Sequence, residues 1–243
     1  MTAGETLAAW LRAAVSVVAP PTCVVCGTRL SLAERFVCTD CMLRLPRLNR
    51  HVYPFAEMTE RFAPYLPDIR VCSWFAYQSH TPYTGLITMP KYAGWPDMSE
   101  WEGRTYAKEI LSDIPGYFDG IDLIVPIPVS RFTRLKRGFN QSRRIADGVS
   151  SVTGIPVADI LAITGRKRSH KRLNREERLG TVGRETYAVT SAYDRLPHRH
   201  ILIVDDVITT GATVETAIPA LCGLPDAPTH ITVLTLGATS LSQ

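Results

Sequence analysis

The chain has 243 residues, with 27 basic and 23 acidic side chains for a net charge of +4, 45% hydrophobic and 21% charged. That is room for one α/β domain and a smaller module, and the composition describes a globular protein, not a disordered one. No apolar run reaches the ~18 residues of a membrane span, so a membrane-spanning helix is excluded.

The first segment is "MTAGETLAAWLRAAVSVVAP". Leu7, Leu11, Ala14, Val15 and Val18 recur at helical spacing, which predicts a short amphipathic helix ended by Pro20 and Pro21. It has no basic n-region, and Glu5 and Arg12 interrupt it, so the expectation is a cytoplasmic protein without an export signal. Packing on its own domain is the simple reading of this helix. Membrane attachment is the other, and little basic charge supports it.

Four of the six cysteines follow in "CVVCGTRLSLAERFVCTDC": Cys23, Cys26, Cys38 and Cys41. Two C-x-x-C knuckles match a four-thiolate zinc site. Gly27 supplies the residue that a tight knuckle needs at positive φ. Two disulfides or a redox pair are the alternatives. The first wants an oxidising compartment, and the second has no use for a second copy. A site closed by four sulfurs has no open position for chemistry, so its role is structural or for docking. Cys72 and Cys222 read as ordinary buried thiols.

Residues 42–70, with four prolines, read as an irregular connection. "VCSWFAY" (71–77) predicts a strand, "GLITMPKYAG" (85–94) a helical stretch cut by Pro90, and "WEGRTYAKEILSDI" (101–114) a helix. Then come a buried strand at 121–128, a helix at 140–154 closed by Gly154, and a third strand at 158–165. "ILIVDDV" is the next strand, "TVETAIPALCGL" a helix perturbed by Pro219, and "HITVLTLGA" (230–238) the last strand. Near-continuous apolar strands alternating with helices imply an α/β fold whose mostly parallel twisted sheet is flanked by helices. The expected organisation is a helix and cysteine knuckle over 1–45, a connection and hood over 46–80, and the main domain over 81–243.

Charge is unevenly spread. Residues 131–184 hold 14 of the 27 basic residues and four of the 23 acidic ones, a local +10 that leaves −6 for the remainder. Such a concentration points to a polyanion, either nucleic acid or a polyphosphorylated small molecule.

The most informative stretch is "HILIVDDVITTGATVETA". Four apolar residues, Ile201 to Val204, run into Asp205 and Asp206, and then into Thr209, Thr210, Gly211, Ala212 and Thr213. Parallel sheets bind ligands outside the carboxyl ends of their strands, which puts this turn at the mouth of a site. A turn of small and hydroxylated residues before a helix offers N–H and O–H groups to a phosphate. The two carboxylates can accept hydrogen bonds from the 2- and 3-hydroxyls of a ribose. A ribose 5-phosphate unit satisfies both.

"ILIVDDVITTGAT" resembles the phosphoribosyl pyrophosphate (PRPP) motif of type I phosphoribosyltransferases. "ILIVDD" also resembles the first strand of a response-regulator receiver, but 37 residues follow Asp206, too few for the βα units that a receiver adds. "VPIPVSRFTRLKRGFNQSRRIA" (125–146), the four-cysteine knuckle and Lys91 in "MPKYAG" resemble the ComF family, competence proteins with a type I phosphoribosyltransferase fold and an N-terminal zinc knuckle. In "RSHKRLNREERLGT", Leu173 and Arg178 match that family, while His170 and Thr181 stand where it has Gln and Asn.

The resemblance implies a phosphoribosyltransferase, a pentosyl-class glycosyltransferase, acting on PRPP with magnesium and an unidentified acceptor. It assigns Asp205 and Asp206 as the catalytic pair. Thr209, Thr210, Gly211, Ala212, Thr213 and Lys91 are assigned to PRPP, with Arg131, Arg134, Lys136 and Arg137 as charge for the departing pyrophosphate. The loop 166–178 is expected to close over the site. Arg143 and Arg144 are expected to be solvated on a helix surface, and Gly138 and Asn140 to shape a turn as readily as to touch ligand. The alternative is a non-catalytic PRPP-binding or single-strand-DNA-handling protein, working with the DNA-uptake machinery of competence.

Overall fold

The computed structural model describes residues 21–166, 185–190, 199–223 and 227–239. The helix expected over 7–18, and the basic loop beyond Arg166 with His170, Leu173, Arg178 and Thr181, lie outside the described residues.

In chain order the elements are α1 (Thr39–Leu43), α2 (Ala56–Phe62), β1 (Ile69–Ala76), α3 (Thr84–Ala93), α4 (Pro96–Asp113), β2 (Leu123–Pro126) and α5 (Arg131–Arg137). There follow α6 (Gln141–Thr153), β3 (Leu161–Arg166), β4 (Glu185–Val189), β5 (His200–Ile208), α7 (Ala212–Cys222) and β6 (His230–Ala238). Four strands form one sheet in the order β1-β6-β5-β2, and every pairing in it is parallel. Both edges are covered. Residues 46–48 bond antiparallel to β1 through Leu48 N to Trp74 O (2.9 Å) and Ala76 N to Pro46 O (2.8 Å). Val157 bridges β2 at Ile124. Such covers stop a sheet edge from recruiting another chain.

Each strand buries both faces, and residue parity divides them. Cys72, Trp74, Ile124, Leu202, Val204, Leu234 and Leu236 face α4 and α6. Ile69, Val71, Leu123, Val125, Ile201, Ile203, Ile231 and Val233 face α2 and α7. An apolar run with no polar face is what a sheet sandwiched between helices requires.

Four expectations need correction. The strand expected at 158–165 does not join the parallel sheet; β3 pairs antiparallel with β4 in a separate two-stranded ribbon. The stretch 42–70 is not wholly irregular, because Met58 and Phe62 on α2 supply an apolar face. Pro90 does not cut α3, which runs on to Ala93 and ends where Gly94 turns to φ 69°. β1 lies within the expected hood region 46–80, yet it is a member of the main sheet, because its alternate residues complete both core layers.

The cysteine module shares that core. Cys23, Val37 and Cys41 belong to the same buried cluster as Trp74 and Tyr106. Tyr83 Oη donates to Cys41 O at 3.0 Å. A Cβ at Gly85 would stand 2.9 Å from Val24 O, so α3 and the knuckle touch backbone to backbone.

The tightest seam is between α4 and α6. A Cβ at Gly103 would stand 2.2 Å from Ile145 O, and one at Gly148 would stand 2.1 Å from Glu100 O. Each glycine lets the opposing helix backbone in. Gly148→Ala is therefore expected to destabilise the fold by about 2–3 kcal/mol by overpacking. The check is a lowered urea midpoint at unchanged m-value, and an unchanged midpoint would refute the close approach.

Candidate functional site

β5 does not stop at its acids. It continues through Asp205 and Asp206 to Ile208, with Asp205 in register with Thr235 of β6. The chain then turns through Thr209 and Thr210, both exposed, to Gly211 at φ 75°, the N-cap of α7. A Cβ at Gly211 would meet Phe62 Cζ at 2.9 Å and Met58 Sδ at 3.1 Å, so α2 pins the turn from behind. α7 has no side-chain cap to Gly211. Its first-turn amides therefore face outward with no acceptor of their own helix, as an anion site requires. Thr210 Oγ1 accepts from Ala212 N at 3.4 Å. Ala212 and Thr213 open the helix, with Thr213 exposed.

The two carboxylates are held by different partners. Lys91 Nζ lies 2.5 Å from Asp206 Oδ2. Asp205 Oδ1 accepts from Ser142 Oγ at 3.0 Å and from the Asp206 backbone N–H at 2.9 Å. Burial and the neighbouring Asp206 charge nonetheless push Asp205 up to about 7. Lys91 reaches the pair from α3 and Ser142 from α6, so the site depends on the helix packing below it.

A third acid lies beneath, and the motif-based expectations missed it. Glu102 on α4 is fully buried, with neither carboxyl oxygen partnered among the described residues. Burial, with a smaller contribution from Asp206, raises its pKa well above the carboxylate range, so it is neutral. Gln141 Oε1 and Ser99 Oγ are also buried without partners, while Gln141 Nε2 donates to Ile87 O at 3.4 Å. A signal existed. Glu102 stands four residues from Met98 and from Tyr106, on the stripe of α4 that faces the core.

Arg131, Arg134, Lys136 and Arg137 follow β2 on a short helix. They occupy α5, capped by Ser130 Oγ at Thr133 N (3.1 Å) and ended by Gly138 at φ 80°. None of the four has a carboxylate partner among the described residues, and Arg137 Cζ sits 5.9 Å over the Tyr92 ring, next to Lys91. α5 also exposes Phe132 (76%) and Leu135 (85%), and Tyr92 is 74% exposed. Arg143 and Arg144, expected to be merely solvated, are paired. Arg143 meets Asp147 at 2.9 Å and Asp159 at 2.7 Å, and Arg144 meets Glu100 at 2.6 Å. Gly138 and Asn140 shape the turn: Asn140 caps α6 by accepting from Ser142 N, and its Nδ2 donates to Ile127 O.

Cys23, Cys26, Cys38 and Cys41 converge, with their sulfurs all within 4.8 Å of one another and none in a disulfide. Cys26 and Cys38 Sγ are 3.7 Å apart, about the edge of a tetrahedron with ~2.3 Å metal–sulfur bonds. Gly27 takes φ 73° in the first knuckle. Glu34 ties the knuckles by accepting from Ser31 N (2.8 Å) and Thr39 N (2.6 Å). Hydrogen bonds from Thr28 lower Cys26 to about 6, while burial pushes Cys41 up. The group can hold one metal ion, whose charge would let all four sulfurs ionise.

The chain is 27% identical over 95 residues to competence protein F of Haemophilus influenzae, covering 39% of this chain and 41% of that one. It is 29% identical over 112 residues to competence protein ComFC of Streptococcus pneumoniae, 46% of each chain. This chain is a relative of the ComF competence proteins. The matches span less than half the length of either relative. No family model matches. Among solved structures, a purine phosphoribosyltransferase from Pyrococcus horikoshii overlays with a TM-score of 0.32 at 16% identity, over 58% of this ComF relative and 85% of that chain. So loose an overlay says nothing of function. Among the described residues no helix is long and apolar enough to cross a membrane.

The acids make apo stability depend on pH. Asp205 and Glu102 have folded pKa values above their unfolded ones, so their contribution is fully present in acid and is lost as pH rises through the folded pKa. For Asp205 that window opens at the ordinary carboxylate pKa of the unfolded chain and closes at about 7, above which the profile levels off. Between pH 5 and 8 the ligand-free protein should lose on the order of 2 kcal/mol on this account. Asp205→Asn should flatten the profile across that window, measured by denaturant unfolding against pH, and a slope identical to wild type would contradict the assignment.

Proposed function

We propose that this ComF relative binds PRPP at the carboxyl end of β5 and transfers its phosphoribosyl group to an acceptor. The observation that carries the reading is the pair Asp205 and Asp206, opposed by Lys91 and Ser142, on the strand whose following turn opens α7 at Gly211. In this reading the ribose 2- and 3-hydroxyls donate to the two carboxylates. The 5-phosphate takes the hydroxyls and amides of Thr209, Thr210, Gly211, Ala212 and Thr213. Ribose hydroxyls replace part of what Lys91 and Ser142 now supply, which frees Lys91 for the pyrophosphate.

In the transfer, the C1–oxygen bond breaks and pyrophosphate departs with the electron pair, leaving a cation-like sugar that the acceptor attacks as it gives up a proton. Charge grows on the pyrophosphate, and preorganised cations lower that barrier. Arg131, Arg134, Lys136 and Arg137, free of carboxylates among the described residues, are the residues assigned to it, with magnesium arriving on the PRPP. Glu102 stays neutral below, adding no further negative charge near the ribose. The four cysteines are read as a zinc site. Their spacing and sulfur convergence suit one structural ion, whose binding energy is folding energy for residues 21–45.

A second reading rests on the surface of α5. Phe132, Leu135 and Tyr92 lie exposed among basic residues that have no carboxylate partner among the described residues, the mixture of stacking platforms and cations that suits single-stranded nucleic acid. In that case PRPP binds without turnover and the protein handles DNA during uptake. Pyrophosphate release from PRPP and magnesium, screened over bases, amines and ammonia, separates the two. Release supports the transferase, whereas binding without release, together with salt-sensitive oligonucleotide affinity weakened by Phe132→Ala with Arg134→Ala, supports the second.

Millimolar PRPP with magnesium should raise the melting temperature of the wild type, because a ligand that binds only the folded state stabilises it by mass action. Asp205→Asn with Asp206→Asn should abolish that shift, and an equal shift in the double variant would remove the basis of the PRPP site. Metal analysis of the purified protein should find one zinc per chain. Cys23→Ser should lose it, and protein with less than half an equivalent when purified without chelator would count against the zinc.

A further inference from the structure

The described residues carry another cavity, at the opposite pole of the sheet. It has a volume of about 700 Å³ and lies at the amino ends of β1, β5 and β6, lined by Arg50, His51, Arg70, Arg199, His200 and His230 among others. Sites of a few hundred to about 1,000 Å³ hold drug-sized or nucleotide-sized ligands. His200 and Asp205 lie at the two ends of the same run of β5, about 17 Å apart at the rise of a strand. A molecule in this cavity therefore does not compete for the acidic motif.

The lining is mostly basic, with two acids in it. Asp68 is shared by His230 (3.1 Å) and, more distantly, Arg70 (4.0 Å). Asp119 is the second, with its Oδ2 beside Gly116. Three guanidinium groups are left. Arg70 is 61% exposed at its side chain, and Arg199 is exposed. Arg50 has its Cζ 4.1 Å from the centroid of the Phe55 ring, and its buried Nε has no acceptor among the described residues. His51 is the most buried polar group of the wall, with a side chain 1% exposed. Its Nε2 meets Asp113 Oδ2 at 2.7 Å, which leaves Nδ1 buried and without a partner. Buried donors and acceptors left unpaired are rare in native structures because each costs about 1–3 kcal/mol. Arg50 Nε is a donor that an anionic oxygen of a ligand would satisfy, whereas Nδ1 of a His51 whose Nε2 donates to Asp113 is an acceptor that suits a ligand hydroxyl or amino group. Pro54, Val71 and Ile114 supply the apolar part of the lining, enough for a base or another flat organic group.

We propose that this cavity is a second binding site, for a phosphorylated organic molecule of nucleotide size, with Arg50, Arg70 and Arg199 on its phosphates and His51 at the inner end. It is independent of the PRPP reading and stands if that reading fails. Because β5 runs from one site to the other, occupancy here is positioned to tune the acidic site instead of reacting at it.

The test is calorimetric titration of the full chain with ADP, without PRPP, using wild type, Asp205→Asn with Asp206→Asn, and Arg70→Glu with Arg199→Glu. Both arginines point to solvent, so their replacement should keep the melting temperature, and Arg70→Gln with Arg199→Gln serves if it does not. The expected result is saturable binding that the aspartate variant retains within twofold and the arginine variant weakens at least tenfold. Binding lost only in the aspartate variant would overturn the proposal, as would equal affinity in the arginine variant or no saturable binding at millimolar ADP. Inorganic pyrophosphate as a parallel probe reads how much of the affinity is phosphate alone.

Discussion

Two carboxylates on consecutive residues of a buried strand repel each other and resist desolvation, and the surroundings of β5 are organised around relieving that tension. Lys91 comes from α3, Ser142 from the first turn of α6, and the Asp206 backbone N–H folds onto Asp205. Each is placed by packing elsewhere. Gln141 holds α3 to α6 through Ile87 O, and Gly103 and Gly148 bring α4 and α6 to backbone contact. The relief is incomplete, since Asp205 still sits near neutrality and Glu102 beneath it carries its proton. A site left in this state favours a ligand that brings hydroxyls and cations together.

The cysteine module serves the same centre from a distance. Its knuckles contribute Cys23, Val37 and Cys41 to the core shared with Trp74 and Tyr106, and Trp74 stacks on Tyr106 at 5.6 Å. Val24 meets Gly85 at the start of the helix that carries Lys91. An ion among the four sulfurs would therefore stiffen the support of α3 as well as the knuckles. A closed site of this kind acts through geometry, not chemistry. The opposite pole has its own logic: arginines and histidines gather where the strands begin, and Asp68 beside them pairs with His230.

Much of this was legible in residue order. β6 lies where its apolar run predicts it, α6 is bounded by Asn140 and Gly154 as capping chemistry requires, and the paired C-x-x-C spacing foretold four sulfurs in one place. These are local signals, set by strand burial, by helix ends and by the reach of a knuckle. The β3–β4 ribbon was not legible, because an apolar run of six residues reads alike in a parallel sheet and in an antiparallel pair. Pro90 misled for a related reason. Proline disfavours a helix interior, but packing outweighs that preference here, and α3 continues to Ala93.

What the sequence alone determined is the list of parts: a parallel-sheet core, four cysteines in two knuckles, and two adjacent acids in a buried strand followed by a turn of small and hydroxylated residues. What the tertiary structure decided is which charges meet. Lys91 is 115 residues from Asp206 and Ser142 is 63 from Asp205, and no periodicity relates positions so far apart. Glu102 appears in the sequence as one acid among 23. Only folding encloses it beneath Asp206 with no partner among the described residues, and only folding leaves Arg131, Arg134, Lys136 and Arg137 without a carboxylate among those residues while it ties Arg143 and Arg144 to carboxylates. Pairing and burial are properties of distance in space, and the chain sets that distance when α3, α4 and α6 pack on one face of the sheet.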